Sequence, residues 1–315
     1  MVEVLTIGEP MGLLVAEEVK PLEDVEHFTR YVCGAEINFA VGMARLGHKV
    51  AYVSKIGNDP FGKHIKNFLT ANQIDSRYVD FDNDHMTGMQ LKAKVETGDP
   101  EVVNFRKNTA FANLTSSDIA GIDWSTVKHL HITGIPPALS DSCRSTIYDL
   151  IAAARQHNVQ ISFDTNLRPA LWKDKAEMVK VINDLASKAD IVLPGIGEGK
   201  ILTGLDDPDK IADFYLEAGA KLVVIKVGAK GAFVKTKEAC FTVPAFKVEK
   251  VVDTVGAGDG FAVGVVSALL EGMAIKDAIK RGAAIGALAI MSQGDNEGLP
   301  TRQGLQDYLN EHENA

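Results

Sequence analysis

The sequence predicts an α/β protein: a mostly parallel sheet with helices on both faces, and a second, smaller β element. Three observations carry that expectation. Short β-branched runs alternate with helical stretches along the chain, the pattern of a parallel sheet crossed by helices. Several of those runs stop at glycine, proline or acidic clusters, where open α/β sheets hold their ligand groups. Two stretches, about 12–32 and 86–108, contain loosely alternating segments without a helix inside them, so they read as a sheet of their own. An ordinary edge hairpin accounts for these pieces equally well. Residues 1–315 hold no long linker, repeat or low-complexity segment, so the chain reads as one domain with a small lid.

Composition bounds the partners. The 315 residues are 46% hydrophobic and 24% charged, as in soluble globular proteins. Lys and Arg number 33 against 42 Asp and Glu, a net charge of −9, which leaves no basic field to hold nucleic acid or an acidic membrane. The three cysteines, Cys33, Cys143 and Cys240, form no metal-ligand pair, and a reducing compartment is the simpler setting. Residues 1–5 lack a basic, then apolar leader, and no run approaches the length of a membrane span. The expected location is therefore the cytoplasm.

Taken in order, 2–7 is a β-rich run ending at Gly8, which leaves Glu9 at a strand's carboxyl end. Segments 13–15 and 89–95 alternate, and Thr97-Gly98-Asp99-Pro100 turns the latter into a return strand, 102–106. Gly34 opens a helix closed by Gly47. On its face of Ile37, Ala40, Val41 and Ala44, Asn38 is polar and needs a partner. A strand at 49–56 turns through 57–62 into a helix at 63–72. The strand 127–133 carries His129 and His131 on one face; with no Cys or carboxylate cluster beside them, they read as structural. Helix 141–157 leads to strand 160–163, which delivers Asp164 to Pro169 at its end. Helix 175–188 and strand 191–193 precede Pro194-Gly195-Ile196-Gly197-Glu198, which opens another helix. Strand 221–227, the turn Gly228-Ala229-Lys230-Gly231 and strand 232–236 follow. Two small-residue helices, one starting at Phe261 and one at 275–291, are set to pack closely.

The chain is organised around Asp253-Thr254-Val255-Gly256-Ala257-Gly258-Asp259-Gly260-Phe261. The glycines leave the backbone bare, so successive N–H groups can turn towards one anion at the mouth of the helix that follows. Asp259 carries the wrong charge for merely holding phosphate there. A carboxylate beside an anion hole suits a base that takes a proton from an attacking hydroxyl.

This stretch resembles the Asp-Thr-x-Gly-Ala-Gly-Asp signature of ribokinase-like (PfkB) carbohydrate kinases, matching it from Asp253 to Asp259. The resemblance implies the three-layer ribokinase-like fold, with Asp259 as catalytic base and Gly256, Ala257 and Gly258 as the anion hole. It extends to 34–47, where Gly34, Ala35 and Asn38 would contact the sugar with Glu9, although Cys33 stands where many members carry a glycine. The 57–62 turn also matches the family's Gly-x-Asp-x-x-Gly. Asp164-x-Asn166-x-Arg168 looks like the version found in 2-keto-3-deoxygluconate kinases and some fructokinases. In the former an aromatic-x-Arg element and this Arg hold the acid end of the sugar; here that element is Asn104-Phe105-Arg106. A planar guanidinium fork from Arg106 and Arg168 suits a carboxylate, which a neutral sugar would not require. Asp295 lies in a similar Gly-Asp-x-x-Gly-x-Pro ending and would also reach the substrate.

The same resemblance implies ATP and Mg²⁺ as cofactors, with a monovalent cation as a further candidate. The nucleotide would meet Asn166, Arg168, Lys226, Gly228, Lys230, Gly231, Gly256 and Gly258, with Ala283 leaving room for adenine. Glu198 would act on Mg²⁺ through water, in a motif whose usual Asn is Gly195. The expected function is ATP-dependent phosphorylation of a primary hydroxyl of a small sugar acid, 2-keto-3-deoxygluconate to its 6-phosphate. A fructokinase or ribokinase shares every motif except the cations at the sugar's end. A sugar-binding regulatory protein without turnover is the rival of another class. Self-association through the lid strands is expected, since they present open edges.

Overall fold

The computed structural model describes every residue except Thr97, Asp99, Glu249, Lys250, Asp253, Thr254, Gln293 and 313–315. Two residues of the signature, Asp253 and Thr254, and two of the 97–100 turn therefore lie outside the described residues.

The first part of the chain forms β1 (Val4–Ile7), β2 (Met11–Ala16), β3 (Phe28–Cys33), α1 (Ala35–Arg45), β4 (Val50–Gly57), α2 (Pro60–Ala71), β5 (Asp75–Asp82), β6 (Met89–Lys92) and β7 (Val102–Phe105). The middle forms β8 (His129–Thr133), α3 (Pro136–Leu139), α4 (Asp141–Gln156), β9 (Gln160–Asp164), α5 (Lys175–Ala186), β10 (Ile191–Val192), α6 (Ile196–Thr203) and α7 (Pro208–Ala218). β11 (Leu222–Lys226), β12 (Ala232–Lys235), β13 (Cys240–Val243), α8 (Ala257–Leu270), α9 (Ile275–Ala289) and α10 (Arg302–Glu311) complete it.

Among the described residues the main sheet has nine strands in the order β13-β12-β11-β10-β9-β8-β1-β4-β5. It is parallel from β11 to β5, and antiparallel where β12 and β13 extend it. The period of two along each strand divides the core. Leu5 and Ile7 of β1 face a cluster with Ile147, Leu150, Ile182 and Tyr215 of α4, α5 and α7. Val4 faces the opposite cluster, with Ile37, Val263, Val266 and Ile285 of α1, α8 and α9. This is the helix–sheet–helix arrangement expected from the sequence. His129 and His131 meet at Ser162 Oγ, at 2.7 and 2.8 Å, and His131 stacks on Phe39. Burial pulls His129 down to about 4 and His131 well below the usual range, so both are neutral parts of the packing.

Several helices begin where a side chain caps them. Asp59 accepts from the amides of Phe61 and Gly62 at 2.9 and 2.8 Å, so α2 starts at Pro60, before the expected residue 63. α8 also starts earlier than expected, at Ala257 rather than Phe261, but without a side-chain cap: Gly256 is the N-cap, and Gly258 and Gly260 are in the first turn. Gly264 and Gly282 allow α8 and α9 to touch: a Cβ on Gly264 would stand 2.5 Å from Gly282 Cα.

A four-stranded second sheet runs β3-β2-β6-β7. β3 was not expected, and β5, α7, β13 and α10 were not expected either. β5 reads Asp75-Ser76-Arg77-Tyr78-Val79-Asp80-Phe81-Asp82, and only Val79 is buried, because the strand lies at the edge of the main sheet. Among the described residues no helix is long and apolar enough to cross a membrane.

Candidate active site

A cavity of about 530 Å³ opens at the carboxyl ends of β1, β9 and β11, with the small sheet as its opposite wall. Of the sequence-expected residues, Glu9, Gly34, Ala35, Asn38, Asn104, Arg106, Asn166, Arg168, Glu198, Lys226, Gly256, Gly258, Asp259 and Asp295 all line it. They come from segments as far apart as β1 and the loop before α10, gathered by the strand order of the main sheet, the N-termini of α1 and α8 and the small sheet.

The N-terminus of α8 forms the floor. Gly256 has φ +82°, and a Cβ there would stand 2.4 Å from the Asp295 carbonyl oxygen, so only glycine fits. Its carbonyl accepts from Gly260 at 2.8 Å, which leaves the preceding amides, 257–259, outside the helical ladder. A Cβ on Gly258 would lie 3.5 Å from Lys226 Nζ, so an ammonium faces this bare turn. Asp259 turns its carboxylate into the cavity, where Asn38 Nδ2 donates to Oδ2 at 2.8 Å and Asn166 Nδ2 approaches Oδ1 at 3.4 Å. Asn38 thus has the partner its place on α1 demanded. Burial, with the charge of Asp164, pushes the Asp259 carboxyl up to about 6, against the pull of Asn38, Arg168 and Lys226. Asn166 sits at φ +35°, a strained backbone position at the cavity wall.

The cations are engaged unequally. Arg106 donates from Nε and Nη2 to Glu9 Oε2 at 2.8 and 2.6 Å, and the Thr109 hydroxyl takes Oε1. The sequence suggested an open Arg106 fork and a Glu9 directed at sugar hydroxyls; instead both are nearly buried, and buried charges need each other. Lys226 Nζ donates to both oxygens of Asp164 at 2.9 and 2.8 Å. Burial works against that ammonium, but Asp164 and Glu198 outweigh it and hold it above its ordinary range. Lys92 forms an ion pair with Asp295 at 3.5 Å. Arg168 differs: its Nη1 donates to the Leu167 carbonyl at 3.0 Å, and no carboxylate among the described residues lies within ion-pair distance. Glu198 braces the neighbouring loops, accepting from the amides of Leu167 and Gly195 at 2.6 and 2.7 Å and from the Thr165 hydroxyl at 2.8 Å.

The model of the pfkB family of carbohydrate kinases matches residues 1–302. The chain belongs to that family. It is 46% identical over 308 residues to the 2-dehydro-3-deoxygluconokinase of Bacillus subtilis (strain 168), covering 98% of this chain and 95% of that protein. A PfkB protein from Polaromonas sp. JS666 is similar in structure, with TM-score 0.89, 43% identity, and coverage of 97% of this chain and 99% of that one. The fructokinase of Vibrio cholerae O395, solved with fructose, ADP and a calcium ion, has TM-score 0.87, 30% identity, and coverage of 98% and 99%.

In this pfkB-family chain some expected residues lie away from the cavity. Ala257 is in the first turn of α8 but does not line the wall. Gly228 and Lys230 belong to an exposed turn after β11, and Gly231, at φ +97°, is required because a Cβ would lie 2.0 Å from the Val243 carbonyl oxygen. Ala283 lies in α9, where small residues let the pfkB core helices pack closely. Conversely, Glu36, Gln90, Lys92 and Asp164 line the cavity without having been assigned to it. Glu36 had a visible signal, an acid on a helix whose other residues up to Ala44 are apolar or small apart from Asn38. It takes the Thr133 hydroxyl and stands against Gly8, and burial pushes it up to about 7.

Proposed function

We propose that the protein transfers the γ-phosphoryl of ATP to a primary hydroxyl of a small sugar acid, 2-keto-3-deoxygluconate, giving the 6-phosphate. The observation that carries the reading is the carboxylate of Asp259 at the rim of the bare first turn of α8, in one cavity with the guanidinium of Arg168, which among the described residues has no carboxylate partner. Asp259, oriented by Asn38 and Asn166, takes the proton of the attacking hydroxyl. The amides at Gly256 to Gly258 and the Lys226 ammonium counter the charge that builds on the phosphoryl oxygens. Arg168 and Arg106 meet the substrate's carboxylate, while Gly34, Ala35, Asn104 and Asp295 bound the sugar. Likeness to the Bacillus subtilis enzyme over nearly the whole chain supports the choice of substrate.

The donor set suits Mg²⁺ arriving with the nucleotide. Among the described residues no three His, Cys, Asp or Glu side chains could form a protein cage, while Asp164, near Gly258, and Glu198 both line the cavity. Bound there, the ion supplies charge neutralisation on the phosphates, and Glu198 would orient its water. Gly228, Lys230, Gly231 and Ala283 are assigned to the outer part of the nucleotide. The small sheet serves as lid, and its edge strand β7, with Phe105 55% exposed, as a self-association surface.

One observation favours a fructokinase instead: the Glu9 clasp already engages the Arg106 fork. Comparing kcat/KM with ATP for 2-keto-3-deoxygluconate, fructose and ribose decides. The expected outcome is a clear preference for the sugar acid. Preference for fructose overturns the substrate, and no turnover of any sugar returns the protein to a binding role.

A further inference from the structure

The small sheet turns a lysine towards the cavity. Period two on β6 sets Gln90 and Lys92 on one face, and antiparallel pairing puts Asn104 opposite Gln90 and Val102 opposite Lys92. All four line the cavity. The neighbouring strand sets Leu13 beside Gln90 and Val15 beside Lys92, and both are buried and apolar. Lys92, 5% exposed, is therefore a charge on a sheet face that is otherwise neutral. Burying an ammonium is costly, and a lid over a neutral sugar has no use for one.

The surroundings say what would meet it. Arg106 continues from β7 on the same wall, and the Cys33 thiol lies within the fields of Asp295, Arg106, Glu9 and Lys92 together. Two cations of the small sheet thus border one region of the cavity, and each is matched to an acid of the main body, Glu9 or Asp295.

We propose that Lys92 is a specificity-determining residue that, beside Arg106, receives the carboxylate of a sugar-acid substrate. The inference deepens the sugar-acid reading given above and rests on it. It differs from a purely mechanical role, in which the Lys92–Asp295 pair ties the small sheet to the main body and touches no substrate.

The experiment compares Lys92→Met with the wild type on two acceptors, 2-keto-3-deoxygluconate and fructose, at saturating ATP. For the acid, kcat/KM is expected to fall about 10- to 100-fold, mostly through KM, since a hydrogen-bonded charge is lost. For fructose it should stay within about threefold, because no carboxylate is present to miss the ammonium. Equal losses on both acceptors, or no loss on either, overturn the proposal. Should Lys92→Met not fold, Lys92→Gln keeps a polar head without the charge and carries the same comparison, while Lys92→Arg should restore most of the preference. If the wild type itself does not favour the acid, the substrate reading fails and takes this proposal with it; if it does and the variant loses both alike, this proposal fails alone.

Discussion

Asp259 is the residue on which the proposed chemistry turns, and its surroundings make two predictions. Asp259→Asn should lower kcat by about two to four decades with little change in sugar affinity, as measured by steady-state kinetics and isothermal titration. A normal turnover would remove the base from the scheme. Because only the ionised carboxylate accepts the proton, and burial lifts it to about 6, kcat/KM should fall with slope one below that pH. The same shift sets the sign of a stability effect. A carboxyl raised above its ordinary 3.8 favours the protonated native state, so its contribution declines as pH rises from there through about 6. Asp259→Asn should therefore melt higher than the wild type at pH 8, by about 1–3 °C, and the gain should vanish below pH 4. Scanning calorimetry at the two pH values checks it.

Much at this scale was legible. Asp259 and Gly256 announced themselves because a carboxylate beside bare backbone has few structural uses. The ion pairs did not: Arg106 and Glu9 lie 97 residues apart, and Lys226 and Asp164 lie 62 apart. Nothing local says that strand order will bring them together, so the Arg106 fork was read as open when it is clasped.

Among elements, most strands and helices of the parallel core, though not α7, were legible because both cores demand unbroken apolar periods. β5 and β3 were not, since an edge strand with a wet face keeps charges such as Asp75, Asp80 and Arg30. The α8–α9 contact carries a sharper expectation. Gly264→Ala forces a methyl to within 2.5 Å of Gly282 and should destabilise by about 1–3 kcal/mol, read as a drop in denaturant midpoint. Activity should fall as well, since α8 holds Asp259. The β8–β9 pair should govern acid sensitivity. His129 is held down to about 4, so between its ordinary 6.5 and that value the unfolded chain binds the extra proton. Stability present above pH 6.5 is lost as pH falls through this window. His129→Gln should flatten the fall in melting temperature there; a parallel fall would assign acid lability elsewhere.

At the scale of the whole molecule, two sheets enclose one cavity, and the small sheet leaves β3 and β7 as open edges. Phe105, 55% exposed on β7 and on the face away from the cavity, is the apolar group such an edge offers to a second copy. Light scattering should give an oligomer for the wild type and a monomer for Phe105→Asp, with the melting temperature of the monomer little changed. An unaltered assembly would move the interface elsewhere.

The machinery proposed to move the phosphoryl group belongs to the large sheet and α8, whereas Gln90, Lys92 and Asn104 line the cavity from a separate sheet of four short strands. That division makes the scaffold re-addressable. Grafting a different trio onto those strand positions should redirect the kinase to another small polyol, while the hands that pass the phosphate stay as they are.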